Sequence, residues 1–299
     1  MDAAKKKKGF LKPSTRENFC IYWYNFRSNK LSMVGLAIVV ISLIFAIFAP
    51  YVAPFPEHAG AYVDLANAGV APNATFWFGT DVTGRDILSR VIFGFRGALK
   101  MAVVVLAISV PVGTFLGLLA GYYHHTWVDT VIMRIMDMML AIPSILLAIA
   151  IMAALGPGIE KAVVAIGLVS IPEYARIVRS EILSIKENDY VAAARVVGDS
   201  NAAIIFRHVL PNVLPSIIVR ATLGISTAIL DAAALGFLGL GVQPPAAEWG
   251  DMLGRGRNEL FRAPWLMIFP GLAITLTVLA FNLLGDGIRD GLDPKARKR

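Results

Sequence analysis

The chain has 299 residues, 57% of them hydrophobic and 16% charged, with a mean hydropathy of +0.65 and a formal net charge of +7. A water-soluble domain does not carry so much apolar and so little charged sequence, so the composition describes an all-α polytopic membrane chain. A lone cysteine, Cys20, excludes an internal disulfide framework or thiolate metal site.

The first 30 residues read as a cytoplasmic tail. The run Lys5 to Lys8 is taken as a topology signal that also attracts anionic lipid, not as a nucleic-acid site. A cleavable signal would place a short apolar core close to the start, whereas here the apolar run begins at Leu31 and is longer. A spanning helix needs roughly 20 mainly apolar residues. Five runs meet or approach that length: Leu31 to Ala49, Ala98 to Gly121, Val131 to Leu155, Val213 to Leu240 and Pro264 to Leu284. A sixth, Ala162 to Ile171, is short and is followed by Pro172, Glu173 and Arg176. Charge decides its status. With six spans and a cytoplasmic N-terminus, most basic residues fall inside, among them Lys5 to Lys8, Arg176, Arg179, Lys186, Arg195, Arg207 and Arg297 to Arg299. Deleting the weak span puts two basic clusters on the wrong face. The expectation is six spans with both termini cytoplasmic. The divisions are a tail over 1–30, a first span over 31–53, an outside segment over 54–96, a transmembrane domain over 97–286 containing a cytoplasmic loop at 186–212, and a tail over 287–299.

The first half of the outside segment is rich in Pro, Ala and Asn and reads as irregular. Thr83-Gly84-Arg85-Asp86 then forms a capping-box pattern, and Ile87, Leu88, Val91, Ile92 and Phe95 share one helical face, with Arg90 and Arg96 left to the polar side. This predicts an amphipathic helix at the membrane surface ahead of the second span.

In the second span Gly113, Gly117 and Gly121 recur every four residues, which bares one face for close approach of another helix. Gly236, Gly239 and Gly241, at the end of the fifth, are read as packing positions. Arg134 and Asp137, three apart in the third span, suit a local ion pair. Asp231 lies deeper in the fifth and has no charged neighbour three or four positions away, so it needs a partner on another helix or a wet cavity.

The polar interruption at 186–212 reads as helix, kink, helix. Asp189 and Ser200 can each cap a helix, Gly198 stops the first, and Pro211 keeps the second from running into the next apolar run. Tyr190, Val197, Ile204 and Ile205 are then apolar knobs for an outside partner. The loop after the fifth span, Gly241 to Leu253, contains Gln243, paired Pro244 and Pro245, Glu248, Trp249 and Gly250. The prolines make a stiff turn, and Trp249 suits the headgroup layer.

The 186–212 segment resembles the cytoplasmic loop signature of binding-protein-dependent ABC importer permeases. Ala193, Ala194, Gly198, Leu210 and Pro211 stand at matching positions, whereas Ala192 replaces the Glu and His208 the Ile of the pattern. The stretches 79–90, 228–231, 241–253 and 282–294 are similar to the C-type permease subunit of dipeptide, oligopeptide and nickel importers. The resemblance implies the type I ABC importer permease fold in a bacterial inner membrane. It also implies a homologous second permease subunit, two cytoplasmic ATPases and an extracytoplasmic solute-binding protein, with Asp189, Tyr190, Ala193, Ala194, Gly198, Leu210 and Pro211 coupling to the ATPases. Asp231 is the candidate for the translocation path, and Gln243, Pro244, Pro245, Glu248, Trp249 and Gly250 form the outer-loop motif.

There is no Gly-x-x-x-x-Gly-Lys-Ser/Thr phosphate loop, no Cys-x-x-Cys and no His-Glu-x-x-His, and the adjacent His124 and His125 lack metal-site spacing. The chain is therefore expected to carry no catalytic residue, metal or cofactor, with ATP and magnesium held on partner subunits. Two alternatives stand beside dipeptide import: a nickel or other small-solute importer of the same family, and an ion-coupled secondary transporter. The second would call for internal repeats, and the two halves show no convincing similarity.

Overall fold

A computed structural model describes residues 22–292, which are mainly helical apart from a long, largely irregular segment over 53–86, shorter connections and one isolated β-bridge between Thr80 and Asp86. The expectations for 1–21 and 293–299 lie outside the described residues. Helix α1 (Lys30–Val52) begins at Asn29, whose side chain accepts from the Leu31 N–H. Pro50 lies inside it, and the backbone leaves helical geometry at Phe48. Helix α2 (Ile87–Tyr122) is one uninterrupted helix of 36 residues. The separate surface helix expected before the second span therefore does not exist as such; its apolar face continues into the span. Its cap also differs from expectation: Asp86 accepts from the Ser89 N–H and hydroxyl, while Thr83 donates its hydroxyl to Asp81.

The third apolar run forms two helices, α3 (Trp127–Leu140) and α4 (Ser144–Leu155), bent by 92° across a break that contains Pro143. Proline lacks an N–H and disfavours helical geometry in the residue before it, so it accounts for the break. Helix α5 (Ile159–Lys186) is the weak sixth candidate, lengthened to 28 residues. The remaining helices of eight or more residues are α6 (Asp189–Val197), α7 (Leu210–Phe237), α8 (Trp249–Gly256) and α9 (Trp265–Leu292).

Four helical stretches among the described residues are long and apolar enough to cross a membrane: α1, α2, Asn201–Phe237 and α9. The bent α3–α4 pair makes a fifth if it is counted as one span. Helix α5 has the length, but Glu160, Lys161, Glu173, Arg176, Arg179 and Glu181 make it too charged to qualify by composition.

The most extensive helix pairing joins α2 and α5, and the glycine stripe is the reason. A Cβ on Gly117 would lie 2.6 Å from the Ala175 carbonyl and 2.8 Å from Val178, and one on Gly121 would lie 2.8 Å from Ile182. The backbones meet where side chains are absent, because in lipid the association comes from close packing and not from the hydrophobic effect. Around this pair, α7 packs on α9, α2 and α5, and α1 packs on α9 and α2. The main core collects Val105, Met152, Ile166, Ile229, Leu235 and Trp249.

Asp137 does not pair with Arg134. It accepts from Arg176 on α5 at 2.5 Å, and Arg134 is exposed. Nearby, Arg179 grips Asp129 with Nε and Nη2 at 2.6 and 2.8 Å, and His124 Nδ1 lies 2.6 Å from the same carboxylate. Charged groups on α5 are thus matched by α3, a bidentate arrangement that fixes the angle between the helices.

Candidate coupling loop and solute path

Helix α6 and the turn after it form the first site. Asn188 occupies the N-cap position without a side-chain hydrogen bond, and Asp189, expected there, sits in the first turn. Gly198 has φ +96° and ψ +18°, the left-handed geometry that favours glycine. Its N–H donates to the Arg195 carbonyl and that of Asp199 to the Ala194 carbonyl, the paired closure of a Schellman stop. Ser200 then accepts from the Ala203 N–H.

The second arm of the loop departs from the expected short helix. Residues 201–237 run as one helix, with a π-helical stretch at Ile204–Val209 leading into α7 and Pro211 in its first turn. The Leu210 N–H reaches back to the Ile205 carbonyl, and this wider turn absorbs the donor that Pro211 lacks, so the proline does not stop the helix. His208 is not a vacant departure from the family pattern: its Nε2 lies 2.9 Å from Asp199 Oδ2 and ties the two arms of the turn.

The loop has two faces. Val191, Ala194, Ile204, Ile205 and Val209 are buried against Leu118, Val178, Ile182 and Val213. Ile204 and Ile205, expected as knobs for a partner, are therefore part of this chain's own core. The apolar groups left outside are Val196 and Val197, 88% and 84% exposed, with Phe206 and Tyr190. Ala193 is exposed, Gly198 has open space around it, Leu210 is half-buried and Pro211 exposed. Phe206 does not stand out in the sequence because its exposure depends on the π-helical turn. The Tyr122 hydroxyl donates to Asn201, Lys186 donates to the Tyr122 carbonyl at 2.9 Å, and Asn212 donates to the Tyr190 hydroxyl, so the element is bolted to the ends of α2, α5 and α7.

At the opposite end the outer-loop motif is a latch. Trp249 is 1% exposed, not at a headgroup surface; its indole N–H donates to the Val91 carbonyl at 3.0 Å and its ring meets Phe95 edge-on above Gly94. Glu248 caps α8 by accepting from the Gly250 and Asp251 N–H groups, both at 2.7 Å. Burial dominates its chemistry, pushing the carboxyl up to about 7 against the pull of those two N–H groups, with the Asp251 charge adding to the rise. Gly250 lies on the Ala233 carbonyl and Gly236 against the Glu248 carboxylate. Gln243 donates to the Gly239 and Gly241 carbonyls, and Pro244–Pro245 is a cis peptide.

Arg90, expected on a polar surface, is 1% exposed beneath this latch and donates to the carbonyls of His58, Pro245 and Ala246. Arg85 pairs with Asp81 at 2.7 Å. Burial opposes the Asp81 charge, but the Arg85 N–H, the Thr83 hydroxyl and the Arg85 guanidinium outweigh it and hold that carboxyl below its usual value.

Between the two ends, α5 and α7 face each other with polar groups: Glu173 pairs with Arg220, and Glu181 accepts from Ser216. Asp231 is half-buried and makes no hydrogen bond or ion pair among the described residues. Asp231 stands out in the sequence, whereas the Glu173–Arg220 pair does not, because its partners lie on different helices.

These features define a multi-pass, all-α membrane protein with an exposed apolar corner on one polar loop and a buried latch at the other end. Residues 113–298 match the family described as the binding-protein-dependent transport system inner membrane component, and residues 21–69 match the N-terminal TM domain of oligopeptide transport permease C. The chain belongs to that family and is an inner-membrane permease of a binding-protein-dependent ABC importer, a non-catalytic component. It is 49% identical over 271 residues to the dipeptide transport system permease protein DppC of Alkalihalophilus pseudofirmus, covering 91% of this chain and 88% of that protein. It is 47% identical over 276 residues to the glutathione transport system permease protein GsiD of Escherichia coli O6:K15:H31, covering 92% and 90%. Among solved structures, the inward-facing MetNI methionine ABC transporter in its CY5 native crystal form matches with a TM-score of 0.53 at 21% identity, over 68% of this chain and 96% of that one. At that identity the likeness concerns the fold. The family implies a complex with ATPases and a binding protein, and the ion-coupled alternative gives way to it.

Proposed function

We propose that this chain is one of two homologous permease subunits that pass dipeptides or a glutathione-like tripeptide inward by alternating access. Two cytoplasmic ATPases holding ATP and magnesium drive it, and an extracytoplasmic binding protein supplies the solute. The substrate class rests on the names of the relatives at 49% and 47% identity, which favour peptides over nickel. In this reading α5 is the sixth span and both termini are cytoplasmic, because that arrangement puts the basic 186–212 loop on the ATPase side.

The observation that carries the coupling role is the exposed pair Val196 and Val197 on a rigid turn locked to α2, α5 and α7. ATP binding closes the ATPases, moves this turn and rocks the attached helices, so nucleotide acts through its different affinity for the two permease conformations. Asp231 and the α5–α7 polar face line the path, and the outer latch around Trp249 holds the outside ends of α2 and α7 as a unit. The test is uptake by the reconstituted complex. ATP-dependent accumulation of alanyl-alanine or glutathione that requires loaded binding protein supports the reading; accumulation that tracks an ion gradient without ATP overturns it.

A further inference from the structure

One face of α7 is polar for most of its length. Ser216, Arg220, Thr227 and Asp231 fall within about 60° of arc on a helix that advances about 100° per residue. Thr227 is exposed and the other three are half-buried, so this chain covers the face only in part. Across from them, α5 supplies Glu173 to Arg220 and Glu181 to the Ser216 hydroxyl. A cavity of about 640 Å³ opens between α5, α7 and α9, and Glu181, Asn212, Ser216, Arg220 and Arg289 line it. Charged side chains at membrane depth face a water-filled space or another protein, not lipid, and Arg220 opens onto this cavity.

We propose that Arg220 and Glu173 form a carboxylate-exchange site on the solute path. Arg220 takes the carboxylate of a passing zwitterionic solute, and Glu173 is the resident counter-ion that gives way and then returns. This rests on reading the chain as a permease for carboxylate-bearing peptides. The guanidinium fork is the group suited to a carboxylate, and the Tyr174 ring, 5.8 Å from its centre, limits its orientation. A bare arginine here would hold the solute too well. A path must bind strongly enough to admit and weakly enough to release, and a competing carboxylate of the same chain lowers the net affinity without removing the recognition.

The test uses the assembled complex with Thr227→Cys in a Cys20→Ser background, labelled by a charged, water-soluble thiol reagent. The probes are alanyl-alanine and its C-terminal amide. Alanyl-alanine is expected to slow labelling and the amide to do so at least 10-fold less well. Arg220→Gln should raise the protecting concentration of alanyl-alanine at least 10-fold, and Glu173→Gln should lower it at least 3-fold. A pair that only staples α5 to α7 would move both variants in the same direction; that result, equal protection by the amide, or no labelling of Thr227→Cys overturns the site. Binding-protein-stimulated ATP turnover of the unsubstituted complex is measured alongside. If turnover is absent, the permease reading falls and the site with it; if it is present, failure of the protection pattern counts against the exchange site alone.

Discussion

The Trp249 indole N–H donates to the Val91 carbonyl, 3.0 Å away, and so joins residues 158 positions apart. That bond holds the outer loop onto the first turns of α2, and Gly94 leaves the space in which the ring lies. Trp249→Phe should cost about 1 kcal/mol for the lost bond, and Trp249→Ala about 3–5 kcal/mol because the ring's volume goes too. Gly94→Ala should also destabilise, by about 1–3 kcal/mol, since its methyl would land on the indole. Thermal unfolding of the purified complex ranks the three variants.

Glu248 predicts a pH dependence. Its carboxyl is raised in the folded chain to about 7 from 4.5, so between those values the folded state holds more proton than the unfolded state. Stability from this group is therefore greatest at low pH and declines as pH rises from about 4.5 through about 7, by at most about 3 kcal/mol. Glu248→Gln should flatten that part of the profile, read as the difference in melting temperature between variant and parent from pH 4.5 to 8. Identical slopes would mean that Glu248 does not titrate there.

The α2–α5 seam predicts a steric limit. Gly117→Val inserts a branched side chain where the Ala175 carbonyl and Val178 already stand, and should cost more than about 3 kcal/mol and lower the yield of monodisperse complex. Gly271→Ala, where the added methyl would meet only Leu253 Cδ2 at 3.9 Å, an ordinary contact, serves as a control for glycine loss outside the seam.

Topology is tested by cysteine labelling in a Cys20→Ser background. Ser200→Cys should react with an impermeant reagent only when the cytoplasmic face is open, and Ala66→Cys in intact cells from outside; both positions are exposed. Reaction of Ser200→Cys in intact cells would invert the six-span arrangement.

The glycine stripe was legible because a four-residue repeat in a spanning helix has one steric meaning, and Gly113, Gly117 and Gly121 do receive α5. The stop at Gly198 was legible for a similar reason, since capping chemistry is local. Burial was harder to read. Ile204 and Ile205 read as knobs because nothing in their immediate sequence reveals Val178 and Ile182 behind them. Trp249 and Arg90 looked like interface residues by type alone, yet each binds a segment more than 150 residues away, and Arg90 also reaches the His58 carbonyl. The same limit hid the Asp137–Arg176 and Glu173–Arg220 pairs. Pro211 misled because a single wide turn can carry a helix past a proline, and that adjustment leaves no mark in the sequence.

The outward corner of the 186–212 loop, in the function proposed above, is where the ATPases grip the permease. Val196 and Val197 are almost wholly exposed and take no part in this chain's core, so Val196→Ser with Val197→Ser should leave insertion and thermal stability unchanged while removing apolar contact with a partner. The direct measurement is the amount of ATPase retained on tagged permease pairs purified from membranes. At least a 10-fold loss of retained ATPase is expected, with solute uptake falling in step; full retention with normal ATP turnover and uptake would contradict the coupling role.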